Sequence, residues 1–298
     1  MILCMIDGKV CNCLTGTKSS QTCYICGAQP KDMNSLNFAN KQTSEEALSF
    51  GLSTLHAWIR FFECCLHVAY RLTIKSWQVK SGNKNEMLER KQQIINNFKK
   101  ELGILIDQPK PGSGSTNTGN TARIFFRNYQ KSAEITGINL ELLRRFYIIL
   151  QVISCGFEVD VEKFKIYTTN TAKLYVSLYS WYYMPPSMHK ILIHGAEAIK
   201  HAIVPIGQLG EEAQEAKNKD FKFILEHMSR KDSSVHTNRD IFNYLLLSSD
   251  PCISFFSVKK AKQNKLKLSK EALDLLKAPS INASESSDLS DPENMDGD

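Results

Sequence analysis

Apolar residues recur at steps of three and four along most of this chain, the spacing that places them on one face of an α-helix. The densest stripe covers residues 55–70 and predicts a buried helix. Thinner stripes predict further helices at 85–102, 140–154, 171–183, 187–204, 211–228 and 238–247. A run rich in Gly, Ser, Thr and Pro at 108–120 predicts an exposed loop. The predicted fold class is therefore mostly α.

The first 35 residues differ from the rest, because short apolar runs alternate there with Cys, Gly, Thr and Ser. This pattern favours strands and knuckle turns over a long helix. The chain accordingly divides into a strand-bearing start (1–35), a helical region (36–205), C-terminal helices (206–255) and a final segment (256–298). The final segment is lysine-rich at first and ends in an acidic, Ser-rich tail that is predicted to be disordered.

Charge is distributed unevenly along the chain. The formal net charge is +6, while the tail from Ala278 onward holds six acidic residues and no Lys or Arg. The rest of the chain therefore carries +12, which is +6 less the −6 of the tail. A basic body indicates a polyanion partner, most simply DNA, although many basic proteins bind none.

The lysine-rich run before the tail allows three interpretations: an arm that contacts DNA, a nuclear-import signal or a solvated linker. Its lysines are Lys259, Lys260, Lys262, Lys265, Lys267 and Lys270.

Two further features bear on the compartment. No apolar run reaches the roughly 18–20 residues needed to span a bilayer, and the start lacks the basic flank of a secretory signal. The nine cysteines are an odd number, and Cys64 and Cys65 are adjacent in an apolar stretch, which favours reduced, buried thiols. A cytosolic or nuclear protein without a membrane partner is expected, and the nucleus is the prediction that fits a DNA partner.

The sharpest local signal is Cys23-Tyr-Ile-Cys26-Gly27. Two thiolates separated by two residues can reach one tetrahedral Zn²⁺, and glycine after the second cysteine permits a tight turn. A complete site needs two more ligands, and the sequence has no second such pair of cysteines.

His189 and His194 are candidates for these ligands, although a step of five residues is less suited to chelation from a regular helix than a step of four. As alternatives, both histidines are ordinary core or surface residues, or the ligands come from Cys4, Cys11 or Cys13.

Several motifs together resemble a known family. They read MIDGKVCN, CYICGA, MHKILIHGAE, LGEEAQEAKNKD and LLSSDP, at residues 5–12, 23–28, 188–197, 209–220 and 246–251. In this order they resemble Transib-type DDE transposases and, more distantly, the catalytic subunit of the vertebrate V(D)J recombinase. The resemblance covers about residues 1–255.

The resemblance implies a remnant of an RNase H-like α/β core that carries a large helical insertion held by a structural zinc. Its four ligands would be Cys23, Cys26, His189 and His194. It also implies that Glu215 is the catalytic glutamate, with Glu211 and Glu212 as near alternatives, and that four basic residues contact DNA. These four are Arg123, Arg127, Lys217 and Lys219; exposed residues of this kind ordinarily contact only water.

The family cleaves DNA with two metal ions held by two aspartates and one glutamate. Both aspartates precede the knuckle in the family, and this chain starts immediately before the knuckle, so it is expected not to cleave DNA alone. Mg²⁺ is expected only if those aspartates were supplied. The resemblance leaves three hypotheses open: a truncated transposase, an interaction protein that regulates a full-length transposase or another partner, and the C-terminal half of an active enzyme whose upstream exons are missing. A homodimer, or a complex with a full-length transposase subunit, is a possible assembly under each.

Overall fold

The computed structural model describes residues 8–36, 43–109, 115–210, 212–253 and 268–277. These residues form α-helices joined by short connections, and within them β structure is confined to two isolated bridges, Pro109–Ser115 and Val159–Leu276. The mostly helical class is thus confirmed. None of the described helices is long and apolar enough to cross a membrane.

The α-helices are α1 (Gly8–Leu14), α2 (Glu45–Ser49), α3 (Thr54–Tyr70), α4 (Lys84–Leu102), α5 (Gly119–Arg127), α6 (Tyr129–Thr136), α7 (Leu140–Ser154), α8 (Val161–Tyr179), α9 (Pro186–His201), α10 (Glu212–Phe223), α11 (Ser234–Ser248) and α12 (Lys270–Asp274). Short 3₁₀ turns lie at Pro30–Asp32, Ser81–Asn83 and Ile206–Leu209, and a π-helical turn, Ile224–Met228, continues α10.

Polar side chains define where the central helices begin. Ser53, Thr118, Asn139 and Asp160 each accept a hydrogen bond from a backbone amide in the first turn of α3, α5, α7 and α8. Such caps satisfy amides that have no partner within the helix. Because Thr118 starts α5, the predicted loop at 108–120 ends earlier than its composition suggested, and residues 110–114 of that loop lie outside the described part.

Helix α3 lies at the centre of the core and packs against α4, α5, α7 and α9. Its buried rings meet those of the neighbouring helices edge to face or tilted, with centroids 5.0 Å apart for Phe61–Phe146 and for Phe62–Phe125. The Trp58 indole donates a hydrogen bond to Ser154 at the end of α7. Aromatic packing of this kind adds to the free energy gained by apolar burial.

Arg90 on α4 joins two helix ends. Its guanidinium donates to the carbonyl of Ala69 at the end of α3 (2.6 Å) and to that of Thr136 at the end of α6 (2.9 Å). Both carbonyls belong to last helical turns, where acceptors have no partner within the helix. This residue therefore fixes the relative position of three helices.

Most of the predicted helices are present, with altered ends. The helix predicted at 140–154 has these bounds, whereas the helix predicted at 171–183 begins ten residues earlier, at Val161. The prediction of a strand-bearing start was wrong for residues 8–36, which form α1, turns and a 3₁₀ turn without a strand. Residues 1–7 and the acidic tail lie outside the described residues. Residues 268–277, which precede the acidic tail and for which no helix was predicted, include α12, which packs against α7.

Candidate metal centre

The two knuckle cysteines lie in a tight turn. The amide of Gly27 donates to the carbonyl of Cys23 (2.7 Å), and the amide of Cys23 donates to the carbonyl of Ala28 (2.9 Å). Gly27 has φ +68°, in the left-handed region that glycine adopts at little cost. The turn buries both Cys23 and Cys26 and directs their sulfurs to the same side.

The two histidines lie on α9, which begins at Pro186 directly after Pro185. Proline suits the first helical position, because its missing amide would have no partner there. Both His189 and His194 are buried, and their ring centroids are 5.2 Å apart. Five residues turn a regular helix by roughly 140° beyond a full turn, yet the ligand atoms of the two rings lie within 4.8 Å of each other. The unfavourable spacing does not keep the rings apart.

Cys23, Cys26, His189 and His194 form one group, in which the four ligand atoms all lie within 4.8 Å of one another. Within the group, Cys26 Sγ and His189 Nε2 lie 3.4 Å apart. Around tetrahedral zinc such atoms stand roughly 3.3–3.8 Å apart, given Zn–N bonds of about 2.0–2.1 Å and Zn–S bonds of about 2.3 Å. A contraction of about 1.5 Å or less would therefore complete the geometry, and the group could hold a metal such as zinc.

The donor atoms also fit a metal chemically. His194 Nε2 is buried and has no hydrogen-bond partner among the described residues, which leaves a nitrogen lone pair for a metal. Sulfur and imidazole nitrogen are the donors that zinc prefers in closed structural sites. The protein supplies all four ligands of a tetrahedral metal, so the group leaves no coordination position open for a substrate.

A hydrogen bond links the two thiols. This bond, followed by the one with His189, lowers the pKa of Cys26 against the opposing effect of burial. The hydrogen bond to Cys26, followed by burial, raises the pKa of Cys23. Because zinc binds thiolates, a metal that binds both sulfurs releases thiol protons.

Two outer contacts support the group. Glu197 Oε2 lies 3.9 Å from His194 Nδ1, and Lys165 Nζ lies 3.7 Å from the other oxygen of Glu197. A carboxylate behind a metal-ligating histidine commonly orients its ring. On the knuckle side, the Lys190 ammonium lies 4.1 Å from the centroid of the Tyr24 ring.

Asn34 provides a second connection between the knuckle region and α9. Its side-chain amide donates to the carbonyls of Ser180 (3.2 Å) and Tyr182 (3.0 Å), and its side-chain oxygen accepts from the amide of Met184 (2.9 Å). These three partners form the connection that leads into α9. Asn34, Glu197 and Lys165 were not singled out from the sequence, because nothing local in the sequence distinguishes them from other polar residues.

The alternative ligands do not join the group. Cys11 is buried and Cys13 is exposed, and neither belongs to the group of four; Cys4 lies outside the described residues. None of the eight described cysteines forms a disulfide. Burial raises the pKa of the Cys64 thiol to about 12, which suits a packed core cysteine rather than a ligand.

The other predicted site residues are not members of this group. The backbone of Glu215 is part of α10, and its side chain, like that of Glu212, is outside what the structure describes. Lys217 and Lys219 are exposed on the same helix. Arg123 and Arg127 lie on α5, and the Arg123 guanidinium is 5.5 Å from the centroid of the Trp58 ring. The predicted DNA-contact residues are thus on two separate helices.

Comparison of the chain with protein-family models and with curated proteins finds no match. The fold and the site define a helical protein with a buried Cys₂His₂ group able to bind a metal.

Proposed function

We propose that this chain is the zinc-holding part of a DNA transposase of the Transib and V(D)J-recombinase kind. What supports this is the meeting of Cys26 with His189, which are 163 residues apart in sequence. The sequence pattern offered His189 and His194 as candidates beside other cysteines, and the family motifs favoured these four ligands by resemblance. The remnant of an RNase H-like core and the helical insertion are parts of the same proposal.

The metal in this proposal is zinc, and its role is structural. A closed, buried Cys₂His₂ group has no position for water or substrate, so the metal stabilises the fold and performs no reaction. It connects the turn at Cys23–Cys26 to α9 and thereby closes most of the chain into one unit.

DNA is the proposed partner, and Arg123, Arg127, Lys217 and Lys219 are its proposed phosphate contacts. The basic body supports this assignment, with a net charge of +12 outside the acidic tail, as does the exposure of both lysines. Phosphate contacts release counterions, so the affinity of such a protein falls steeply with salt and depends little on sequence. Nuclear localisation belongs to the same proposal.

Lys217→Gln/Lys219→Gln in the full chain tests this proposal. Binding to a duplex of arbitrary sequence should weaken about uniformly across sequences, and the slope of log affinity against log salt should decrease by about two, since each phosphate contact contributes roughly 0.9. Lys80→Gln/Lys173→Gln, which removes two exposed lysines elsewhere, is the matched control. A wild-type affinity that stays constant between about 50 and 200 mM salt would contradict the proposal.

The second candidate is an interaction protein that binds a full-length transposase subunit, a second copy or another partner. It is favoured by the hairpin of α10, the π-helical turn and α11, in which Ile224 and Ile241 are buried while several large apolar side chains are exposed. These are Phe221, Phe223, Met228, Val235, Phe242, Leu246 and Leu247. Apolar surface of this extent is typical of a face that a partner covers.

Sedimentation of the purified chain separates the two candidates. A monomer at micromolar concentration that binds DNA with a steep salt dependence favours the first. A dimer that Phe242→Ser/Leu246→Ser converts to a monomer, without DNA affinity, favours the second.

A further inference from the structure

Residues 268–277, which we call the docked segment, pack against the rest of the protein. The 14 residues before them lie outside the described part. Their short helix, α12, packs against α7. Ala272, Leu275 and Leu276 are buried and join the main apolar core, with exposures of 0%, 6% and 9%. A segment this short has no core of its own, so nearly all of its order comes from this contact.

Polar contacts fix the position of the docked segment. The Ser269 hydroxyl donates to the buried side-chain oxygen of Gln151 on α7 (2.9 Å) and also accepts the amide of Ala272, which caps α12. Glu271 forms an ion pair with Arg144, which Glu141 holds from the other side.

Backbone bonds complete the docking at the far end. The amide of Asp160 donates to the carbonyl of Leu275, and the amide of Lys277 donates to the carbonyl of Glu158, each at 2.9 Å. The Lys277 ammonium also pairs with the Glu158 carboxylate at 2.9 Å. Paired backbone groups of this type are how a sheet edge or an extended segment accepts a peptide.

These contacts resemble those of a bound peptide. Every group of the docked segment that fixes its position and orientation lies within nine consecutive residues. The receiving surface is equally local, since it consists of one face of α7 and the connection at residues 158–160. We propose that this surface, the α7 groove, is a recognition site for short peptides, and that residues 268–277 are its occupant in the free chain. The α7 groove is proposed to select peptides with the pattern of Ser269, Glu271, Leu275 and Leu276. In this pattern a Ser or Thr is followed two positions later by an acidic residue, and the Leu-Leu pair begins four positions after the acidic residue.

This proposal depends neither on the metal nor on DNA. Because the docked segment belongs to the same chain, its effective concentration at the α7 groove is on the order of millimolar, so the groove of the wild-type chain is occupied by its own ligand. A partner that carries the same pattern gains access only when the segment is released.

The test uses a labelled, end-capped synthetic peptide with the sequence of residues 268–277. The full chain carrying Leu275→Asp/Leu276→Asp, whose own segment cannot dock, should bind this peptide at least about tenfold more tightly than the wild-type chain does. A Ser269→Ala peptide should bind about fivefold more weakly, which is the usual effect of losing a helix cap. A scrambled peptide of the same composition is the control and should not bind.

A second measurement does not depend on the fold tolerating two aspartates. Hydrogen exchange at the amides of Asp160 and Lys277 reports docking directly, because both amides are protected through the docked segment. Arg144→Glu and Glu271→Arg should each accelerate this exchange, and the double variant should restore protection. Single charge reversals without effect on either amide, or a folded Leu275→Asp/Leu276→Asp chain that does not bind the peptide at millimolar concentration, would overturn the proposal.

Discussion

His194 contributes a buried ring nitrogen whose burial without a partner costs on the order of 1–3 kcal/mol, and a bound metal removes this cost. A metal that binds Cys23 and Cys26 also takes the place of thiol protons. At the scale of single residues, the stabilisation that a metal gives to the fold therefore depends on the buried nitrogen and sulfur atoms that it binds.

Removing a ligand should lower both the metal content and the stability. We expect Cys23→Ser and His194→Ala each to lose about one equivalent of zinc and at least about 3 kcal/mol of unfolding free energy, a fraction of the roughly 10–16 kcal/mol that structural zinc contributes in zinc-finger peptides. Elemental analysis and thermal unfolding measure this. Cys13→Ser, an exposed cysteine outside the group, is the control. Wild-type protein without zinc, or ligand variants of unchanged stability, would exclude the site.

Asp107 is the second residue with a specific prediction. Its carboxylate pairs with Lys91 (2.8 Å) and accepts hydrogen bonds from Tyr70 (3.0 Å) and Asn117 (2.5 Å). Burial would raise the pKa of Asp107, but these three partners outweigh burial and hold the pKa below its ordinary value. A depressed folded-state pKa gives stability that is present above the unfolded pKa of about 3.9 and is lost as pH falls through the folded value.

Asp107→Asn should therefore destabilise the chain by about 1–3 kcal/mol at pH 7. The difference from wild type should shrink as pH falls below about 4. The backbone should tolerate the change, since Asp107 has φ +51° and Asn adopts this conformation readily. Urea unfolding of both proteins at several pH values measures the difference. A difference that stays constant with pH would show that the carboxylate charge does not contribute.

At the scale of elements, the spacing of apolar residues predicted structure that depends on near neighbours in the sequence. It missed structure that depends on residues far away in the sequence. The buried face of α8 includes Thr168 and Thr171, whose hydroxyls donate to carbonyls of their own helix. Polar residues on a buried face hide the apolar stripe, so the first half of α8 was not predicted. In α1, the stretch from Gly8 to Leu14 spans only about two turns, too few to distinguish a helix from a strand.

The metal centre shows the same limit. The spacing of Cys23 and Cys26 identified half of the group, because both ligands lie in one turn. The position of the two histidines depends on how α9 packs against the rest of the molecule. The spacing of apolar residues along the chain does not predict that packing. The sequence offered the two histidines only as candidates beside Cys4, Cys11 and Cys13, and the family resemblance favoured the histidines.

A close approach between elements gives the next prediction. Gly207, in the 3₁₀ turn Ile206–Leu209, lies so near the end of α7 that an added Cβ would overlap the carbonyl group of Cys155. We expect Gly207→Ala to lower the unfolding free energy by about 1–3 kcal/mol, the range for overpacking in a close-packed region. Gly82→Ala, where an added Cβ meets nothing within 4 Å, is the control. Equal stability of the two variants would contradict the observed packing.

At the scale of the whole molecule, the proposed family relationship predicts an absence of cleavage activity. In-line displacement at phosphorus uses two cations surrounded by several carboxylates, and the resemblance assigns only Glu215 to that role within these 298 residues. We expect the purified chain not to nick or join DNA in Mg²⁺ or Mn²⁺, so that Glu215→Gln changes nothing. Nicking of supercoiled plasmid measures this. Metal-dependent nicking that Glu215→Gln abolishes would mean that other carboxylates complete the site.

The long separation between Cys26 and His189 also has a consequence during synthesis. At a translation rate of roughly 5–20 residues per second, the histidines leave the ribosome about ten to thirty seconds after the cysteines. Through that interval the two thiols are adjacent, unligated and able to form a disulfide with each other. If the group holds a metal, the nascent chain is most sensitive to oxidants before α9 is made, and metal bound by the finished chain protects the two thiols. Brief oxidative stress should damage newly made molecules selectively and leave the older ones intact.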